Sequence, residues 1–245
     1  MHCGRRPVGR RRLRRNHKPY HMARLFSLLT FLLTTAAFVV GIFYFIAKLI
    51  GQIAFDPGSK AWKKTIEKLQ ARIRSQGAGA LIPWDAEMLS LLSLNQSKVK
   101  KPGWWDSTSE GVYMSIFQEP VLAYAGQKSG NTAVFVARSS KQEYILRQKQ
   151  KETEVWIDNK PFGVFISDVL LAAGSSSKLL AEVDVEKGEA QWPVKIGNEV
   201  VAAINNPARA EEAGPNPRAL SFFRKLNAEE EDIVLAVTLV YLLKA

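Results

Sequence analysis

At 245 residues and a formal charge of +11 the chain looks strongly basic, yet eight of its cations, Arg5, Arg6, Arg10, Arg11, Arg12, Arg14, Arg15 and Lys18, crowd into residues 1–21 with no acidic partner. Without them the charge is +3, so the basicity belongs to a tail, and neither a basic domain nor a motif makes nucleic acid an expected partner. The single cysteine, Cys3, and all three histidines, His2, His17 and His21, lie in the same tail, which excludes Cys/His zinc sites, histidine triads, thiol nucleophiles and intrachain disulfides downstream; no metal and no cofactor is expected.

Met22-Ala23-Arg24 stands directly before the first apolar run and reads as a conventional start, so translation is expected to begin at Met22 and residues 1–24 are set apart as a basic tail. Residues 25–47 carry no charge, and as a helix they would span about 35 Å, enough to cross a hydrocarbon layer of about 30 Å. A secretory signal would have a shorter apolar core ending in small residues, whereas Phe43, Tyr44 and Phe45 close this one before Lys48. With Met22 as the start, only Arg24 precedes the span, while Lys48, Lys60, Lys63, Lys64 and Lys68 follow it. That asymmetry favours a single-pass membrane protein with its carboxy-terminal domain in the cytoplasm, whereas a chain that keeps the upstream arginines has the more positive side before the span and the opposite orientation.

After Asp56-Pro57-Gly58, residues 59–75 read as a helix capped by Ser59 and stopped at Gly77. Trp62, Ile66, Leu69 and Ile73 form one apolar stripe, and Lys63, Lys64, Lys68, Arg72 and Arg74 occupy the remaining surface. Three environments suit this division: an anionic lipid surface, with those five cations as membrane-surface contacts; the chain's own domain; or a second copy paired as a homodimer through residues 59–75. Gly77-Ala78-Gly79-Ala80 reads as a flexible break. Residues 83–94 read as a second short helix with Trp84, Met88, Leu91 and Leu92 in the core, and 98–103 as a basic linker. Residues 56–102 are therefore expected to be juxtamembrane helices and linker, with the main domain over 103–245.

In that domain the pattern changes to short strands. Leu179, Ala181, Val183 and Val185 alternate with Leu180, Glu182, Asp184 and Glu186, the period of a strand with one buried face. Comparable runs lie at 112–118, 121–125, 132–138, 143–148, 152–157, 162–167, 191–196 and 199–205, and Gly197-Asn198 suits a tight hairpin turn between the last two. Asn227 and Glu230 then have capping-box spacing, with Glu229, Glu231 and Asp232 adding acid at the start of a helix. Its residues 233–243 are apolar on every side but make only about 16 Å of helix, too short to cross a bilayer. Such a helix must be buried all round, with Thr238 and Tyr241 satisfying their polar atoms locally. The predicted fold is mostly β: a closed antiparallel barrel of about ten strands around a C-terminal hydrophobic helix, preceded by a transmembrane helix and one or two short helices.

This order of elements resembles the tubby-like superfamily, which includes phospholipid scramblases and LURP-one-related proteins. The stretches that carry the likeness are EVWIDNKPFGVF (154–165), KLLAEVDV (178–185), WPVKIGNEVVAAI (192–204) and EEEDIVLAVTLVYLL (229–243), within residues 112–245. The resemblance implies a twelve-stranded barrel around a central helix, and recognition of phospholipids or proteins instead of catalysis. Scramblases carry a cysteine-rich stretch, an acidic calcium-binding segment and a C-terminal membrane helix. Here the anchor is N-terminal, the domain has no cysteine and no calcium loop is legible.

Two Ser-x-x-Lys matches, Ser97 to Lys100 and Ser175 to Lys178, define the Ser/Lys hydrolase alternative, but both fall in expected turns and lack companion motifs. A stronger cluster for recognition is Arg147, Lys149 and Lys151, alternating on one face of a strand and its extension, with Arg138 and Lys141 across a turn; these five are the expected lipid-binding residues. The expected function is a membrane-anchored, non-enzymatic module that binds phospholipid headgroups or a protein partner. The alternative is a structural subunit of a membrane assembly.

Overall fold

The computed structural model describes residues 19–76, 81–84, 87–102, 106–174, 178–186 and 188–244, and the chain divides into two compact units, Met1–Ala47 and Lys48–Ala245. Helix α1 (Pro19–Ala54) runs unbroken through the apolar stretch. Its segment Phe26–Ile46 is long and apolar enough to cross a membrane, and none of that segment is buried in the structure. The threonines do not interrupt it, because the hydroxyls of Thr30, Thr34 and Thr35 donate to the carbonyls of Phe26, Thr30 and Phe31 at 2.8–2.9 Å. Each of these threonine hydroxyls is thereby satisfied within the helix, an arrangement compatible with a hydrocarbon environment.

In the second unit, α2 (Lys60–Ser75) starts where Ser59 Oγ accepts the Trp62 N–H at 2.9 Å. Ile66, Leu69 and Ile73 are buried, and with Phe55 they form a core against Ala123, Ala125, Val134, Val136 and Ile145. The apolar stripe thus packs on the chain's own domain and does not remain as a free seam for lipid or a second copy.

Twelve antiparallel strands follow: β1 (Leu92–Pro102), β2 (Asp106–Ser115), β3 (Pro120–Ser129), β4 (Thr132–Arg138), β5 (Glu143–Lys149), β6 (Glu152–Ile157), β7 (Lys160–Ile166), β8 (Val169–Ala172), β9 (Leu179–Val183), β10 (Gln191–Ile196), β11 (Glu199–Asn205) and β12 (Leu220–Phe222). Spatial order follows sequence order. The sheet nearly closes on itself: Ala219 N–H donates to the Leu92 carbonyl at 2.7 Å and Leu94 N–H to the Pro217 carbonyl at 2.8 Å, on either side of a Ser93–Arg218 bridge. Two-residue turns join several pairs. Asp158-Asn159 and Ser167-Asp168 all take positive φ, as a primed hairpin turn demands, and Gly197 does so at 63° in the expected turn.

Closure overturns the reading of residues 83–103. Among the described residues there, only Met88–Leu91 (α3) is helical; Leu92 begins β1, and the basic segment is strand as far as Pro102. The barrel accordingly starts at Leu92 and not at 103. Pairing with β2 on one edge and residues 217–219 on the other satisfies this segment's backbone groups, which outweighs the helical look of a short Leu/Ser run. Strands β8 and β12 were also not anticipated, bringing the total to twelve. The Gly77–Ala80 break lies outside the described residues.

The barrel interior is filled by α4 (Ala228–Lys244). From Ile233 to Leu243 every residue is buried except Tyr241, which is half-buried. The capping box forms as expected: Glu230 N–H donates to Asn227 Oδ1 and Asn227 N–H to Glu230 Oε2, both at 3.0 Å. Thr238 is satisfied locally, on the Val234 carbonyl, but Tyr241 is not. Its hydroxyl crosses to Asp168 Oδ1 at 2.7 Å, in the turn between β7 and β8. The helix therefore enters at the end of the barrel bearing the 139–142 turn, where Gln142 Nε2 reaches Asp232 Oδ2 at 3.4 Å, and finishes near the opposite, open end.

Candidate functional site

Strands β1 to β5 run past the last turn of α4, leaving a cavity of about 410 Å³ at the open end. Leu242 and Leu243 line it from the helix and Phe135 from the wall. Facing is fixed by register. Past the irregularity between Leu92 and Gln96, Gln96 pairs with the core residue Tyr113, Lys98 with Gly111 and Lys100 with Ser109, so the period of two places Gln96, Lys98 and Lys100 on the inner face of β1, where the two lysines remain open to solvent. Lys128 of β3 pairs with Ser107 and points inward in turn. The cavity is lined by Lys98, Lys100, Lys101 and Lys128, with Ser107, Thr108 and Ser109, and by no carboxylate among the described residues.

Two tyrosines brace this end of the barrel. Their rings lie 5.4 Å apart; Tyr113 donates to the Leu242 carbonyl at 2.9 Å and Tyr124 to Gln96 Oε1 at 2.7 Å. Burial raises both phenol pKa values, that of Tyr124 to about 12, so both remain neutral donors. Lys98 is shifted down, first by burial and then by the ammonium of Lys100. Gly126 supplies the space: a Cβ there would collide with the Phe135 ring, which lies against the wall at that point.

The five cations expected to bind lipid do not form one patch. Arg138 and Lys141 lie at the end where α4 enters, whereas Arg147, Lys149 and Lys151 lie toward the open end, because Arg138 pairs with Glu143 at the hairpin turn and Lys149 with Thr132 at the far end. Arg147 is also engaged: its Nη1 bonds Glu154 at 3.1 Å, its Nη2 lies 3.9 Å from Asp56, and its side chain is only 11% exposed. Arg138, Lys141, Lys149 and Lys151 are exposed. On α2, Lys63, Lys64, Lys68 and Arg74 are exposed, with Arg72 half-buried at the flank.

Ser97 and Lys100 fall on opposite faces of β1, since residues three apart on a strand cannot converge. Ser97 Oγ instead accepts the Val112 N–H at 3.3 Å. Ser175, Ser176 and Ser177 lie outside the described residues.

Lys98, Lys128, Ser107 and Ser109 are not among the candidates read from the sequence, and Lys100 enters there only as the lysine of a Ser-x-x-Lys match. Their signal is the alternation from Gln96 onward, which becomes readable once 92–102 is recognised as a strand. Comparison with protein-family models, with curated proteins and with solved structures yields no match to this chain.

Proposed function

We propose that this chain is a single-pass, membrane-anchored binding module with no catalytic role, and that its basic surfaces engage anionic phospholipid headgroups. The observation that carries the reading is the division of α2. Its apolar stripe is taken up by the barrel, so Lys63, Lys64, Lys68 and Arg74 project outward on the first element after a helix with the length and composition of a membrane span. A basic face this close in sequence to a membrane-length helix would meet the surface potential of an anionic leaflet, about 1 kcal/mol per cation close to the surface. The twelve-stranded sheet around a C-terminal helix supports the resemblance to the tubby-like superfamily. The lysine distribution after the span supports a cytoplasmic placement.

Flotation of residues 48–245 with vesicles tests this. Binding is expected only to vesicles containing anionic lipid, weakening as salt is raised, and K63E/K64E/K68E should reduce it by more than about tenfold on the per-cation figure above. Equal binding to neutral vesicles would sink the reading.

One observation favours a structural subunit as the second reading. Phe117 and Phe223 are 66% and 60% exposed, and both lie at the end of the barrel where α4 enters, away from the open cavity. Native-membrane cross-linking from that end to a stoichiometric protein partner would support it.

A further inference from the structure

Two large apolar side chains stand out at one end of the second unit. Among the described residues outside the span, Phe117 and Phe223 are the most exposed of their kind, and both lie where α4 enters the barrel. A lone apolar residue on a surface needs no cause, but these two flank one groove of about 400 Å³. Its floor is Leu89, Phe222 and Leu226, continuous with the barrel core, and Phe223 follows Phe222 on one bank. α3 makes the other bank. There the Leu91 carbonyl accepts the Ile116 N–H at 2.8 Å and so holds the turn bearing Phe117 beside it.

The charges around the groove indicate what covers it. Arg224 is committed within the chain, holding Glu230 at 2.7 and 2.9 Å and Glu199 at 3.0 Å. The side chains of Lys225 and Glu231, by contrast, line the groove without an ion pair to any described residue, and Lys225 is exposed. An anionic lipid surface is a poor cover, because Glu119 near Phe117 and Glu229 in the first turn of α4 are exposed carboxylates. A second copy of this chain is a good one. The patch holds a protruding ring, a recess roomy enough for one, and one uncommitted charge of each sign, and a two-fold axis carries each onto its complement. The outward face of α2 lacks this property, since Lys63, Lys64, Lys68 and Arg74 would meet like charges across such an axis. We infer that the groove between α3, β12 and α4 is a homodimer interface: Phe223 of each copy fills the groove of the other, with Phe117 against it from the far bank, and Lys225 of each copy faces Glu231 of the other. This deepens the structural-subunit reading, on which it rests, by naming the partner.

Sedimentation equilibrium of the full chain in neutral detergent micelles tests it. The wild type should show a reversible dimer, and Phe223→Ser, at an exposed position that the fold does not need, should raise the dissociation constant by more than about tenfold. K225E and E231K should each weaken the dimer by about tenfold, since each sets like charges together at two places. Mixing the two variants in equal amounts should restore a one-to-one dimer, because every such contact then joins opposite charges. An ion pair within one chain gives no rescue on mixing. A wild type that stays monomeric, a dimer as tight in F223S as in the wild type, or two variants that fail to recover together each overturns the interface. In native membranes, a photo-crosslinking aromatic amino acid in place of Phe223 should join two copies of the chain. Its capture of lipid or of a different protein overturns self-pairing, and capture of one different protein in fixed stoichiometry would leave the structural-subunit reading standing.

Discussion

Helices α2 and α4 lie on opposite faces of the same wall, and the contrast between them shows how burial writes itself into sequence. Only Ile66, Leu69 and Ile73 of α2 are buried, so its composition splits into a stripe and a charged face. Residues 233–240 of α4 are buried on every side and carry no stripe at all. The strands between them respond in kind. β3 is covered by both helices and is buried without interruption from Val121 to Gly126, whereas β6 alternates buried and half-exposed positions from Thr153 to Ile157.

The largest expected effect separates an interior helix from an exterior one. Leu239→Ala removes a fully buried side chain from the barrel axis and should destabilise the whole second unit by about 2–5 kcal/mol, read from denaturant midpoints followed by tryptophan fluorescence. Leu69→Asp should act locally. It places a charge beneath α2, so amide exchange in residues 60–75 should accelerate while α4 stays protected. If α4 loses protection to the same degree, the inner and outer cores unfold as one and the contrast fails.

A smaller effect tests the inner wall at the open end. Gly126→Ala drives a methyl group into the Phe135 ring and toward Ser109, and should cost about 1–3 kcal/mol as the wall shifts to accept it. A neutral result would mean that Phe135 can swing away freely, and that the apolar depth of the cavity is adjustable.

The same two-sided burial explains how far the sequence could be read. Nine strands, the cap at Ser59, the capping box at Asn227 and the buried character of residues 233–243 were legible because each rests on local chemistry: alternation, a side-chain cap, or an apolar run too short for a bilayer. The strand β1 was not, because Leu89 to Leu94 imitate a helix and the inward lysines imitate a solvated linker. Its identity depends on pairing with β2 and with residues 217–219, and that partner is more than a hundred residues away. β12, at three residues, and β8, at four, are too short to show a period. The candidate site went unread for the same reason as β1, since its lysines belong to that strand. The grouping of the five cations differs for another reason: Arg147 and Lys149 share a face of β5, but Arg138 and Lys141 are carried to the other end by the hairpin they belong to.

The helix caps give the smallest effects and a means of telling the two helices apart by pH. Ser59→Ala and Asn227→Ala should each cost about 1 kcal/mol. Only the cap of α4 titrates within reach. Glu230 is held to a pKa of about 2, first by Arg224, whose guanidinium donates to it at 2.7 and 2.9 Å, and then by the Asn227 N–H. A carboxylate whose pKa is depressed by folding stabilises the native state fully above its unfolded value of about 4.5, and that contribution disappears as pH falls toward 2. Wild-type stability should therefore fall more steeply than that of Glu230→Gln between those two pH values, and the two curves should run parallel above them. In a Ser59→Ala background the difference between the curves should be unchanged, since the hydroxyl cap of α2 exchanges no proton in that range. A difference that shrank would mean that α2 and the entry of α4 are coupled through the barrel wall, and the two helices could no longer be treated as independent coverings of its faces.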